Sequence, residues 1–228
     1  MSRAVPSITA HLLGRVGYRE AHALQERLLE ARIAGQIGDT LLLLEHPPVL
    51  TLGRAAKREH VLFAPDHLRS LGVDVVETGR GGDVTYHGPG QLVGYPIVDL
   101  KPDRQDVRKY VSSLEETMIR LAADYGITAT RVQGLNGAWV EDRKIGAVGV
   151  RIRKWVTMHG FAINGTTDLT HFDWIVPCGI RDRAVTSIER ERGVRPTYEE
   201  LAEKAARIFA SLYEAELTIT REAPSIPA

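Results

Sequence analysis

Cysteine is nearly absent from this sequence: Cys178 is the single one in 228 residues. One thiol excludes an intramolecular disulfide, and with it the stapled secreted scaffolds, as well as any zinc site built from several cysteines. An excess of charge of either sign is also missing, since 29 basic side chains balance 29 acidic ones. General nucleic-acid binding, whose affinity rests on a basic surplus, is therefore excluded. Long apolar runs do not occur. The most apolar one, Leu41-Leu42-Leu43-Leu44, stops at Glu45, far short of the roughly 20 residues that a membrane helix needs. Met1 to Tyr18 contain no stretch of signal-peptide length, so the expectation is a soluble, cytoplasmic chain with no membrane attachment. Repeats, low-complexity segments and Pro/Gly/Ser linkers are lacking too. Residues 1–228 are accordingly read as one domain, with 43% apolar and 25% charged residues, enough to build a core without staples.

What is there is a mixture of helical and extended periodicities. Tyr18 to Ala34 carries Ala21, Leu24, Leu28 and Ile33 at near-helical spacing. Asp106 is an N-cap for a helix whose stripe runs through Val107, Tyr110, Val111, Leu114, Met118, Leu121 and Tyr125 and ends at Gly126. Thr197 with Glu200 forms a capping box for a last helix through Leu212, and Pro65 to Ser70 predicts a short one. Extended segments are expected at Thr40–Leu44, Val49–Leu52, Val73–Glu77, Leu92–Val98, Ala129–Val132, Ala138–Val140, Ile145–Ile152, Val156–Ile163 and Glu216–Thr220. The tetrad Glu141-Asp142-Arg143-Lys144 falls where a hairpin turn belongs. Strands cluster in the middle without strict alternation with helices, which predicts an α+β fold over a doubly wound parallel sheet.

The densest chemical signal is RGGDVTYHGPGQLVGYPI, Arg80 to Ile97, with five glycines and two prolines in eighteen residues. Glycine lets backbone or ligand approach closely, and the polar side chains set between these glycines favour a binding loop over a plain series of turns. Neither a GK[ST] phosphate loop nor a dinucleotide fingerprint is present. Cys178, in Val176-Pro177-Cys178-Gly179, is the second signal. A free cysteine is most often a small buried hydrophobe. The flanking proline and glycine, however, suit a thiol that faces a cleft. A nucleophilic thiol needs a nearby cation or base, and Lys144, His87 and His159 are the candidates; spacing does not choose among them. None of the eight histidines stands at the spacing of a metal-binding pair. Residue chemistry alone leads to a thiol enzyme and leaves its reaction open.

Five ordered segments resemble a known family. LLLLEHPPVLTLGR (Leu41 to Arg54), the glycine-rich segment, RKIGAVGVRI (Arg143 to Ile152), HGFAIN (His159 to Asn164) and VPCGIRDRAVTSI (Val176 to Ile188) are similar to those of the lipoyl (octanoyl) transferases. The resemblance spans about Leu13 to Glu216. It implies the fold of biotin and lipoate protein ligases, a mixed central sheet flanked by helices. It implies that Cys178 carries the acyl group as a thioester and that Lys144 lowers the thiol pKa and shuttles protons. The acyl site would comprise Arg80, Gly81, Gly82, Asp83, Val84, Thr85, Tyr86 and His87, then Ala147, Val148 and Gly149, then Gly160, Phe161 and Ala162. Burying about six methylenes at roughly 0.8 kcal/mol each supplies about 5 kcal/mol toward a medium chain. The implied donor is octanoyl-acyl carrier protein. The implied acceptors are lipoyl domains of 2-oxoacid dehydrogenases and of the glycine cleavage H protein. No ATP and no metal is required, and a monomer is expected. Arg151, Arg153, Lys154, Arg181, Arg183, Arg190, Arg192 and Arg195 are candidates for steering an acidic carrier protein. The alternatives are an ATP-dependent ligase on the same fold, an amidotransferase between lipoyl domains, a silent acyl-binding or scaffold protein, and a thiol protease, whose cysteine and histidine signatures nothing here resembles. Pro177-Cys178-Gly179 speaks against the ligase, and the joint presence of Cys178 and Lys144 against the silent binder.

Overall fold

Leu41 to Leu44 are fully buried. Their run shows no polar alternation because the strand they form is covered on both faces. The computed structural model describes residues 5–176 and 184–226. In chain order its strands are β1 (Ser7–Arg15), β2 (Asp39–Glu45), β3 (Val49–Leu52), β4 (Asp74–Glu77), β5 (Val84–His87), β6 (Gln91–Ile97), β7 (Thr130–Val132), β8 (Leu135–Val140), β9 (Arg143–Arg153), β10 (Val156–Asn164) and β11 (Glu216–Thr220). Its helices are α1 (Tyr18–Ile33), α2 (Pro65–Ser70), α3 (Val107–Ala123), α4 (Ile188–Arg192) and α5 (Tyr198–Leu212). Eight strands form one sheet in the order β11-β1-β2-β6-β10-β9-β8-β7. The pairs β11–β1 and β1–β2 are parallel and the others antiparallel. A second sheet, β4-β3-β5, is smaller. The fold is thus the expected α+β arrangement with a mixed sheet and flanking helices.

Side-chain alternation divides the core. Leu41 and Leu43 of β2 face α3 and α5, joining Leu114, Met118, Leu121, Leu201 and Phe209. Leu42 and Leu44 face α1, joining Ala21, Leu28 and Leu29. A third cluster of Leu50, Leu68, Val84 and Tyr86 holds the small sheet to α2. The helix ends follow their caps. Asp106 accepts from the backbone N–H of Arg108 and Lys109, and Thr197 and Glu200 form the reciprocal box.

The fold departs from the sequence reading in several places, α4 among them. The sequence reading places no element at β1, although Ile8, Ala10 and Leu12 alternate there after Pro6; its pairing with β2 and β11 makes it a strand. β5 lies inside the glycine-rich stretch, where turn residues mask a four-residue strand. The tetrad turn is only two residues long: Glu141, at φ 55°, and Asp142 make it, while Arg143 and Lys144 already belong to β9. A two-residue turn with positive φ at its first position matches the twist of the paired strands.

Removing the cap on α5 by Thr197→Ala is expected to lower unfolding stability by about 1 kcal/mol. Leu43→Ala in the closed core should lower it by about 2–5 kcal/mol. Urea denaturation of the two variants checks this ranking, which equal losses would contradict.

Candidate active site

Between the two sheets lies a cavity of about 300 Å3, at the small end of ligand sites. Its floor is a strip of the central sheet that carries almost no side chains. Ala147 of β9 pairs with Ala162 of β10, and Gly149 pairs with Gly160; Val93 of β6 and Phe161 border the strip. Its roof is the glycine-rich segment. Roof and floor meet closely at Gly149, where a Cβ would sit 3.1 Å from both Cδ of Arg80 and the Gly81 carbonyl oxygen. The Gly81 N–H donates to the Val150 carbonyl at 2.9 Å, latching the roof to β9.

Buried polar bonds shape the roof. Arg80 is 7% exposed, and its Nη2 donates to the Thr51 carbonyl at 2.6 Å and to Thr51 Oγ1 at 2.9 Å. Asp83 Oδ1 accepts from the Val84 N–H at 2.7 Å, and Oδ2 lies 2.6 Å from His60 Nδ1. Alternation along β5 turns Thr85 and His87 into the cavity. Tyr86 points the other way into the third cluster, where its hydroxyl meets His171 Nδ1 at 2.7 Å. Of the acyl-site residues expected from sequence, Gly81 and Tyr86 therefore do not line the cavity. Arg80, Gly82, Asp83, Val84, Thr85, His87, Ala147, Val148, Gly149, Gly160, Phe161 and Ala162 do.

Lys144 stands at one end. Its N–H donates to the Ala184 carbonyl at 2.9 Å, and its carbonyl accepts from the Thr186 N–H at 2.9 Å. Its Nζ lies 4.7 Å from the centroid of the Trp139 ring. Cys178 lies outside the described residues, as do Arg181 and Arg183; on their near side the Val176 N–H donates to the His60 carbonyl at 2.9 Å. A line of amide bonds ties this end to the roof. His87 Nδ1–H donates to Gln91 Oε1 at 2.6 Å, Gln91 Nε2 to Asn164 Oδ1 at 2.9 Å, and Asn164 Nδ2 to the Thr186 carbonyl at 2.9 Å. Because Gln91 Oε1 only accepts, the proton of neutral His87 sits on Nδ1 and Nε2 is left as the acceptor.

The other end is aromatic. Tyr18, Tyr95 and His159 line it, and His159, paired with Val150, is six residues along β9 from Lys144, about 20 Å of strand. Burial pushes His87 down to about 3, aided by His46 and Arg80. Burial likewise lowers His159 to about 3, with His22 and Arg80 adding to it, and lowers His46 to about 4. His46 Nδ1–H donates to the Val16 carbonyl, so its Nε2 accepts the Tyr95 hydroxyl at 2.8 Å. The three imidazoles are neutral at physiological pH. Of the three candidates for activating a thiol, Lys144 is the one bonded through its backbone to Ala184 and Thr186 of the cysteine-bearing motif, and His159 lies at the cavity end remote from Lys144.

Sequence reasoning assigned no site role to Tyr18, Tyr95, Trp139 and Phe172, which line the cavity. Gln91 and Asn164 stand inside quoted motifs that assigned them no task. Among the basic residues considered for docking, Arg151 pairs with Glu26 at 2.7 Å, Arg153 with Glu30 and Arg195 with Glu189. Among the described residues, no group of three His, Cys, Asp or Glu is arranged to hold a metal ion.

By fold the chain is similar to lipoate and biotin protein ligases. A bi-partite lipoate protein ligase from Thermoplasma acidophilum superposes with a TM-score of 0.74 over 97% of this chain and 88% of that one, at 18% identity. The biotin protein ligase from Aquifex aeolicus superposes at 0.52 over 90% of this chain and 69% of that one, at 14% identity. The family model of the lipoyl protein ligase A/B catalytic domain matches residues 17–210. An octanoyltransferase of Caldicellulosiruptor bescii is 50% identical over 91% of this chain and 92% of its own length. The chain belongs to the lipoyl protein ligase A/B catalytic-domain family, among its octanoyltransferases, and is an acyl-transferring enzyme of protein lipoylation.

Two outcomes follow from this geometry. Gly149→Val would drive a branched side chain against Arg80 and the Gly81 carbonyl, so acyl transfer should fall at least about tenfold; transfer at the wild-type rate would contradict the floor assignment. For pH, the folded values of His46, His87 and His159 lie below the ordinary 6.5. The unfolded chain therefore takes up protons first as pH falls. Their stabilisation is complete above about pH 6.5 and is lost as pH drops toward 4 and 3. Melting temperatures measured from pH 7.5 to 4.5 should decline, and a flat profile would contradict the neutral cluster.

Proposed function

We propose that this enzyme moves an octanoyl group from octanoyl-acyl carrier protein to a lysine of lipoyl domains, through a thioester on Cys178 with Lys144 as proton partner. The observation that carries this reading is the setting of Lys144. Strand β9 brings it to the end of a cavity floored by alanine and glycine, and Ala184 and Thr186, within the cysteine-bearing motif, hold its backbone on both sides. An eight-carbon chain of about 10 Å matches roughly three residues of strand rise, the length of the strip from Ala147 to Gly149.

In the first step the Cys178 thiolate adds to the donor carbonyl, forming a new C–S bond. The bond to the carrier thiol breaks, and that thiol leaves with a proton from the Lys144 ammonium. In the second step the neutral acceptor amine attacks the same carbonyl. A C–N bond forms, the C–S bond to Cys178 breaks, and neutral Lys144 takes up the amine proton, restoring the starting pair. Thioester exchange is nearly isoenergetic and amide formation runs downhill, so neither ATP nor a metal is required. His87, held neutral and oriented by Gln91, serves to position rather than to carry charge. The acceptors would be the lipoyl domains of 2-oxoacid dehydrogenases and the glycine cleavage H protein, met by a monomer in the cytoplasm.

Incubation with octanoyl-carrier protein in the absence of ATP should add one octanoyl group, removable by hydroxylamine and absent in Cys178→Ser, as read by intact mass. Lys144→Ala should slow formation of the adduct by about a hundredfold or more. An adduct that requires ATP, or one formed at wild-type speed without Lys144, would overturn the mechanism.

A further inference from the structure

The aromatic end of the cavity, remote from Lys144, also carries a buried imidazole just beyond the alanine and glycine strip. His159 is 1% exposed and lines the cavity, yet neither of its ring nitrogens has a hydrogen-bond partner among the described residues. Its ring is wedged between His22, stacked at 5.5 Å, and the edge of Tyr95 at 6.3 Å. The backbone there is unusual as well. His159 adopts φ 55° inside a strand, and its N–H donates to Gln25 Oε1 at 2.9 Å. A bulky residue is kept in the left-handed region only where its surroundings demand it, and such strain gathers at ligand sites. Nε2 of Gln25 is buried and likewise without a partner among the described residues. Buried polar atoms without partners are rare, and each calls for a water or a ligand group.

We infer that His159 makes the inner end of the acyl cavity a hydrogen-bonding subsite, so that beyond the octanoyl length the enzyme accepts chains ending in a hydroxyl and rejects equally long apolar ones. The inference rests on the acyl-cavity reading above. An octanoyl chain stops short of the ring. A chain two atoms longer would reach it and either pair with the imidazole or leave both nitrogens unsatisfied in an enclosed site. A site built to hydrogen-bond discriminates more sharply against a missing partner than against a missing methylene. Chain length is then read by desolvation as much as by volume.

The test compares decanoyl- and 9-hydroxynonanoyl-carrier protein, which present acyl chains of equal length, with octanoyl-carrier protein as the reference, by rate of adduct formation. Wild type should take the hydroxylated chain about tenfold faster than the decanoyl one. His159→Leu should reverse that order, and His159→Asn, which keeps a polar end and tolerates positive φ, should preserve it. Decanoyl transfer equal to or faster than hydroxynonanoyl transfer in wild type would overturn the inference, whether or not the leucine variant folds. So would a preference for the hydroxyl that survives in His159→Leu. If even the octanoyl adduct fails to form in wild type, the acyl-enzyme reading itself fails, and this inference with it.

Discussion

Arg80 sets the spacing between the two sheets. Its guanidinium is tied to the carbonyl and hydroxyl of Thr51 in the small sheet, while its aliphatic stem crosses over Gly149 in the large one. A charged group this deeply buried is tolerable only because its donors are satisfied. Everything that defines the cavity depends on this contact. The stem keeps the glycine-rich roof one side chain's thickness above the alanine and glycine floor, and the Gly81–Val150 bond stops the two from sliding.

The second constraint is the line of amides from His87 through Gln91 and Asn164 to Thr186. It crosses three segments that are far apart in the chain and ends on the backbone of Lys144. Each member is buried and each bond uses a different donor, so the roof, the floor and the lysine are held in one arrangement. Such preorganisation suits acyl transfer, in which the reacting groups must be held in one geometry. Neutral imidazoles serve the same purpose at the other end, since a charge beside an acyl chain would hold water there.

Much of the architecture was legible in the amino-acid pattern. The capping box at Thr197 and Glu200, the Asp106 cap and the buried tetraleucine are local signals whose physics does not depend on the rest of the chain. The elements that escaped were those whose character is decided by neighbours. β5 is a strand because β3 lends it hydrogen bonds, and β1 is one because β2 and β11 flank it. Tyr18, Tyr95 and Trp139 belong to the site because two sheets close over them, and nothing in their own spacing separates them from core residues.

From sequence alone came the chemical vocabulary: one thiol, one lysine at a hairpin, and a glycine-rich segment whose polar residues would gather around a ligand. Residue type determines this, because reactivity and backbone freedom are properties of single amino acids. The order in space came only from the tertiary structure. It turned Tyr86 away from the cavity and Thr85 into it, by the two-residue period of a strand whose register is set elsewhere. It set Lys144 and His159 at opposite ends of one cavity, although both are candidates for the same task by chemistry. That separation arises from the pairing of β9 with β10, a long-range fit between surfaces that no local pattern encodes.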